Sequence, residues 1–440
     1  MAQDPRLRRR IAGVLKARLP ELGLDELPDP RKHRGRRWKS LPALVRVCLL
    51  GLMSGRKSFR ELESLTDEIA LPWRAKLALP RRIPDTTMRS TVCKLEPAGL
   101  RDCLRRQARA AHRRKALVPF GLPFGQVAVD GKHTAIKAWD ELYAQKQEHS
   151  SAVGVSGVVR TMTCALVSSR VKVCLDANPI PSATNEMGHY PKVLAELDAA
   201  YGALDLIRLI SADAGMASEA NARLTVEQYG WDYLFRLNAE QPTLLREAKR
   251  QLGRRAPHQA DTFTVDIRGT VQVTRRLYLT SELAGYLNWS HLRTVLRVQV
   301  EMMDLRTGEL LELKEQDKER YYLSSLQAQA LSPQQWLIAV RQHWGVENDC
   351  HNTWDKIFVE DDHPWILCDK QGNGPRGAVV VMLLRRIAYN MLALFRSVTQ
   401  RSDERRLTPW NDLIRWVYGT LIAATDKDLQ GIRARAASLA

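Results

Sequence analysis

Acid is what this 440-residue chain lacks: 49 Asp and Glu stand against 67 Lys and Arg, a formal charge of +18. The deficit tells against an acidic interaction tail and against an acidic enzyme of small molecules. It favours a polyanionic partner, either nucleic acid or an anionic membrane surface. Long apolar runs are also missing. The longest near the N-terminus, Ala43 to Met53, is interrupted by Arg46, and a spanning helix needs about 20 apolar residues. No membrane span is therefore expected. The start of the chain, with Arg6 and Arg8 to Arg10, is not followed by an apolar stretch, so no secretory leader is expected either. The seven cysteines (Cys48, Cys93, Cys103, Cys164, Cys174, Cys350, Cys368) never fall in CxxC spacing. Their scatter excludes a zinc ribbon and a dense disulfide framework, and fits a reducing cytosol. There is no internal repeat and no low-complexity segment. Core-forming material is ample, at 45% hydrophobic and 26% charged residues, and the length suits about three structural units.

The basic surplus is concentrated. Residues 1–60 hold 16 Lys or Arg against 5 Asp or Glu, and six of the basic residues lie between Arg31 and Lys39. A second cluster, Arg101 to Lys115, carries seven against a single Asp102. Between them Leu41, Leu44, Val45, Cys48, Leu49 and Leu52 recur at helical spacing. Ser58 and Glu61 form a capping-box pair, and Pro84-Asp85-Thr86-Thr87 opens another helix. Short helices with basic flanks predict a helical DNA-binding region over residues 1–117.

From residue 118 strands take over. Gln126 to Asp130 is a short apolar strand ending in a carboxylate. Gly157 to Val167 and Val171 to Asp176 follow as a meander. A helix over Thr184 to Ala199 leads to a second strand running into a carboxylate, Leu206 to Ser211 and then Asp213. A helix over Ala217 to Gln228 and a strand over Trp231 to Leu237 complete the element order of an RNase H-like α/β core. Residues 262–326 instead read as hairpins, Phe263–Ile267 with Thr270–Val273 and Leu292–Met302 with Leu310–Leu313. This stretch is read as a β-rich insertion before a long helix from Leu331 to Trp354. An apolar helix, Arg376 to Phe395, must pack on the core. The fold class is thus an RNase H-like mixed sheet with flanking helices. The expected divisions are 1–117, core 118–250, insertion 251–326, core 327–400 and a basic tail 401–440.

The sharpest chemical feature is the pair Asp130 and Asp213. In the deduced order their strands are neighbours, so both carboxylates would project toward one point. Like charges held together need an offsetting cation, and hard oxygen ligands suit Mg²⁺ or Mn²⁺. A third acid should come from a helix beside that edge. On a helix His343, Glu347 and His351 fall at i, i+4 and i+8 and share a face. Their spacing is not HExxH, so zinc is the lesser reading. Lys132, Arg341 and His343 are candidate phosphate neighbours, and Trp344 a candidate for stacking on an unpaired base.

These residues carry a family resemblance. Asp29-Pro30-Arg31 with Arg34-Gly35-Arg36-Arg37, Ser58-Phe59-Arg60-Glu61, Val129-Asp130-Gly131-Lys132, Thr184-Asn185-Glu186 and Ala212-Asp213-Ala214 are its first carriers. Arg341-x-His343-Trp344-x-x-Glu347-Asn348-x-x-His351 is the strongest, followed by Asp355 and Phe358-x-Glu360-Asp361. The chain resembles DDE transposases of bacterial insertion sequences, in the IS-four-like group and its As-one branch. The resemblance implies that Asp130, Asp213 and Glu347 are a catalytic triad binding two Mg²⁺ or Mn²⁺ ions. One ion would activate water or a DNA 3′-hydroxyl for in-line attack, and the other would stabilise the leaving oxygen. It further implies double-stranded DNA as partner (terminal inverted repeats and target), with Arg31, Arg34, Arg36, Arg37, Lys132, Arg341, His343 and Trp344 as DNA contacts. A homodimer in the active complex and a cytoplasmic, nucleoid-associated location complete the expectation. The rivals are a nuclease on the same core that never joins ends, and a non-catalytic DNA-binding repressor.

Overall fold

The structure, a computed structural model, describes residues 4–32, 40–79, 82–147, 157–366, 373–399 and 407–429. Arg34, Arg36, Arg37 and Cys368 lie outside the described residues, so the first basic cluster is represented here by Arg31 and Lys32. The N-terminal region is helical: α1 Pro5–Arg18, α2 Leu41–Met53, α3 Phe59–Glu68, α4 Leu71–Leu77, α5 Asp85–Val92 and α6 Pro97–Arg113. At α3 the Ser58 hydroxyl accepts from the Glu61 amide at 3.2 Å, while the Glu61 carboxylate accepts from Lys57 and not from Ser58. Half of the expected capping box forms, and its second bond shifts by one residue.

The second basic cluster departs from expectation. Arg101 and Arg105 on α6 converge on the buried Asp176, with Arg101 Nε and Nη2 at 2.8 and 2.6 Å from its two oxygens. Arg106 pairs with Glu26 and Arg114 with Glu21, each at 2.5 Å. Four of the cluster's basic residues therefore hold the helical region together and onto the sheet, which takes them out of a solvent-facing DNA stripe.

The sheet has ten strands: β1 Gln126–Ile136, β2 Ala144–Lys146, β3 Gly157–Leu166, β4 Val173–Pro179, β5 Leu209–Ala212, β6 Asp232–Leu237, β7 Thr262–Arg268, β8 Val271–Thr280, β9 Thr294–Asp304 and β10 Glu319–Ser324. Antiparallel β1–β3–β4 form the meander, and β1, β5 and β6 run parallel. The order β4-β3-β1-β5-β6 is that of the RNase H-like core. Helices α7 Glu186–Tyr201, α8 Glu219–Glu227 and α9 Pro242–Leu252 join its later strands and lead out of it.

Three sequence expectations need correction here. First, β1 does not end at Asp130: it continues to Ile136, because Lys132 to Ile136 pair with Thr161 to Gly157. Second, the insertion continues the main sheet, as β6-β10-β9-β8-β7. The strand that joins it is β10, after a four-residue helix α10 Glu315–Lys318, whereas Leu310 makes a single bridge to Met303. Third, the helix expected from Leu331 to Trp354 is not one α-helix. It is α11 Pro333–His343, a π-helical turn Val346–His351, and α12 Asn352–Lys356.

The last long helix, α13 Gly374–Leu394, packs against α2, α6 and β4, and α14 Trp410–Ala423 lies against α1 and α2. Contrary to the expectation that no stretch qualifies, Gly374–Ser397 is long and apolar enough to cross a membrane. Within the fold, however, 94% of its most apolar window is buried. It is the central helix of the core.

Candidate catalytic edge

The candidate site forms where β1 and β5 end their pairing. Val129 lies opposite Ala212, the last residue of β5, so Asp130 and Asp213 are the next residue on each of two adjacent strands, which run about 4.8 Å apart. The third acid arrives on the segment after α11, and a buried polar chain docks that segment. Gln126 Nε2 donates to Ser211 Oγ and to the Ala339 carbonyl, both at 2.9 Å, and His343 Nδ1 lies 3.1 Å from the same Ser211 oxygen.

From there the π-helical turn, which takes more residues per turn than an α-helix, carries the chain across the strands. His343 faces β5 through Ser211. At the other end His351 places Nε2 3.1 Å from Thr163 Oγ1 on β3 and Nδ1 3.6 Å from Asp130; Thr163 is the residue opposite Asp130 in the sheet. Glu347 lies between, in the electrostatic field of Asp213 and acting in turn on Asp130.

The electrostatics are strained. Burial, followed by the charges of Glu347, Glu186 and Asp213, pushes the Asp130 carboxyl up to about 7. Burial and then Asp213 also raise Glu347, opposed by Arg320 and Arg236. Burial lowers His343 to about 4 and His351 to about 3, so both rings are neutral and supply no compensating cation. Excess negative charge on hard oxygen donors fits a divalent cation. Among the described residues, though, no three His, Cys, Asp or Glu side chains are drawn close enough to form a ready-made metal cage.

Several candidate DNA contacts are placed differently from the sequence reading. Lys132 is 6% exposed and clamped by Asp355 at 2.7 Å and Asp361 at 3.2 Å, tying the chain beyond the site back onto β1. His343 is buried and neutral, which removes it as a charged phosphate neighbour. Arg341 remains part-exposed but pairs with Asp266 at 3.0 Å, and Arg31 is held by Asp29 in a two-pronged pair at 2.9 and 2.7 Å. Trp344 is half-buried at the rim, with the Arg320 guanidinium 4.9 Å from its ring centre.

Three residues near the acids were not singled out as site residues from the sequence. Arg236 on β6 lies 3.4 Å from Asp213. Arg320 on β10 is the cation over Trp344. A lone charge inside the apolar run Tyr233–Leu237 was the available signal for Arg236. Glu186, in the first turn of α7, was noticed only as a carrier of the resemblance. Its carboxylate packs so closely on β1 that a Cβ at Gly131 would lie 1.9 Å from Oε1, and His133 Nε2 is 3.4 Å away.

Behind the site the sign reverses, and one acid is outnumbered by cations. Glu360 pairs in the core with Arg386 and, at 3.7 Å, with Arg385, all three fully buried. Burial works against the Glu360 charge, but the two guanidinium groups hold its carboxyl below the usual value. The Arg386 guanidinium also stacks 3.8 Å from the ring centre of Trp354.

Residues 127–365 match the family described as the transposase DDE domain. The chain is 25% identical over 385 residues to protein YbfL of Escherichia coli strain K12, covering 83% of this chain and 88% of that one. It has the same identity and coverage to YhhI of the same strain, whose name describes an H repeat-associated transposase. A piggyBac transposase, solved in a synaptic complex with hairpin DNA, aligns with a TM-score of 0.42 at 11% identity, over 98% of this chain and 81% of that one.

Proposed function

From the premise that this chain belongs to the DDE transposase family, we propose that it cleaves DNA at the terminal inverted repeats of an insertion sequence and joins the freed ends to a target. The family makes it a polynucleotidyl transferase acting on DNA, work done in the cytoplasm. What supports the finer reading is that Asp130 and Asp213 follow the last residues paired between two adjacent parallel strands, and that Glu347, on the turn after α11, is among the charges acting on Asp130. Asp130, Asp213 and Glu347 are the residues that would hold Mg²⁺ or Mn²⁺, two ions in the full reading. Bound there, the metal would activate the attacking oxygen and stabilise the leaving one.

The rest falls to the protein's own groups. Arg236 and Arg320 place positive charge beside Asp213 and Glu347, where a phosphodiester would otherwise be repelled. Trp344, backed by Arg320, offers an aromatic face at the rim. The +18 surplus provides long-range attraction for the duplex. The residues Arg31, Arg34, Arg36 and Arg37 are its proposed N-terminal contacts. Holding two element ends calls for a homodimer in the active complex.

The test uses purified full-length protein, Mg²⁺ and duplexes carrying the element's ends, in a cleavage assay and a strand-transfer assay with pre-cut ends. Joining by the wild type is expected, and Glu347→Gln should bind the duplex without cutting it. Cleavage without joining would establish the nuclease reading instead. DNA binding with no cleavage by the wild type would establish the repressor.

A further inference from the structure

The sheet has one edge built unlike an edge. Strand β7 ends the ten-stranded order, and among the described residues nothing pairs with its outer side. Sheet edges are ordinarily protected by charged side chains, above all lysine, by proline, a bulge or short length; the charges of β7 are the terminal Arg268 and Asp266, and the chain itself pairs Asp266 with Arg275 and Arg341. Between Thr262 and Arg268 there is neither lysine nor proline, and all seven residues pair with β8 in unbroken register. The opposite end of the sheet has such protection: β2 is three residues long, and the β3–β4 register is broken between Cys164 and Ala165.

Along β7, Phe263, Val265 and Ile267 alternate with polar residues and are 64%, 47% and 68% exposed. Alternation places all three on one face, while Asp266, on the other face, pairs with Arg341 of α11. The result is a strand without a bulge, with an apolar stripe and, among the described residues, an open edge.

We propose that β7 pairs with β7 of a second copy of this chain, antiparallel about a two-fold axis at Val265. In that register Val265 meets its own counterpart, Phe263 faces Ile267 of the second copy, Thr264 faces Asp266 and Thr262 faces Arg268. The apolar stripe becomes continuous across the junction, and no charge stands opposite a like charge. The closest approach of like charges is the diagonal pair of Asp266 side chains, about 7–8 Å apart. Each is already neutralised by Arg275 at 2.6 Å and Arg341 at 3.0 Å. An isologous interface requires such self-complementarity. The inference deepens the proposed function, which needs two ends held together, yet its test requires neither DNA nor metal.

The experiment is oxidative cross-linking of full-length Val265→Cys with copper phenanthroline, beside sedimentation equilibrium of the wild type and Val265→Lys. Opposed residues at the two-fold should cross-link to a covalent dimer. The wild type, whose described cysteines are buried, and Leu310→Cys, exposed but off the edge strand, should not. Val265→Lys should weaken self-association by at least about tenfold with an unchanged circular-dichroism melt. A wild-type chain that is monomeric throughout, absence of the 265 cross-link, or a Val265→Lys dimer of unaltered affinity would each overturn the proposal. Dimerisation without DNA cleavage would leave it standing while the proposed function fell. Cleavage by a protein lacking the cross-link would do the reverse.

Discussion

Glu360 and Asp130 are both carboxylates withdrawn from water, and they meet opposite surroundings. Glu360 has two buried arginines, so its charge is held on and its neighbourhood is cationic. Asp130 has three acids in its field and two neutral histidines flanking the turn that bears Glu347, so its carboxyl rises to about 7. A fold that only needed stability would treat the two alike. On the proposed function, the difference separates an acid that serves structure from acids whose excess charge a bound cation would offset.

The sharpest way to break this comparison is to neutralise one acid on each side. Asp130→Asn or Glu347→Gln should abolish cleavage, by on the order of 10³-fold or more, without unfolding the protein. A kinetic assay alongside a thermal melt checks both halves. Glu360→Gln should do the opposite, costing about 3–5 kcal/mol of stability by leaving two buried guanidinium groups uncompensated, as read from denaturant unfolding.

Next in size, Gly131→Ala should reproduce Glu186→Gln. The added methyl would occupy the space of the Glu186 carboxylate, and loss of a supporting contact typically costs about 10–100-fold in activity or metal affinity. Manganese binding followed by calorimetry would show it, and unequal losses in the two variants would sink the link between them.

The smallest effect is on the pH dependence of stability in the absence of metal. A carboxyl raised on folding favours the folded state while protonated, so its contribution is complete below the unfolded value near 4. That contribution is lost as pH rises toward about 7. Asp130→Asn should therefore gain stability over the wild type at pH 8 and converge with it near pH 4. Parallel curves would show that the acids do not press on one another.

Much of this was legible in the chain itself. The meander, the two parallel strands and their crossover helix followed from hydrophobic periodicity. Right-handed, short connections then left little freedom about which strands are neighbours. Asp130 and Asp213 could be brought to one edge on that argument alone. The length of β1 was not legible, because Gly131-Lys132-His133-Thr134 has no strand signature; partners on β3 impose it. Nor was the π-helical turn, since the spacing of His343, Glu347 and His351 suits a continuous α-helix equally well. Lys132 looked like a phosphate contact because nothing local reveals Asp355 and Asp361, which reach it across more than 220 residues. Arg101 and Arg105 looked like a DNA stripe for the same reason. The signature residues Glu360 and Asp361 are part of the resemblance, and the structure gives them scaffold duties, pairing with Arg386 and with Lys132.

Composition and local pattern, then, determined the basic character of the chain, its helical and stranded halves, and which acids could meet. Those properties depend on near neighbours and on rules of connection that act along the sequence. Which charges are spent inside the molecule and which are left unbalanced at the edge of β1 and β5 was decided only by tertiary packing. An ion pair is a matter of a few ångströms in space, and residues hundreds of positions apart carry no local mark of it.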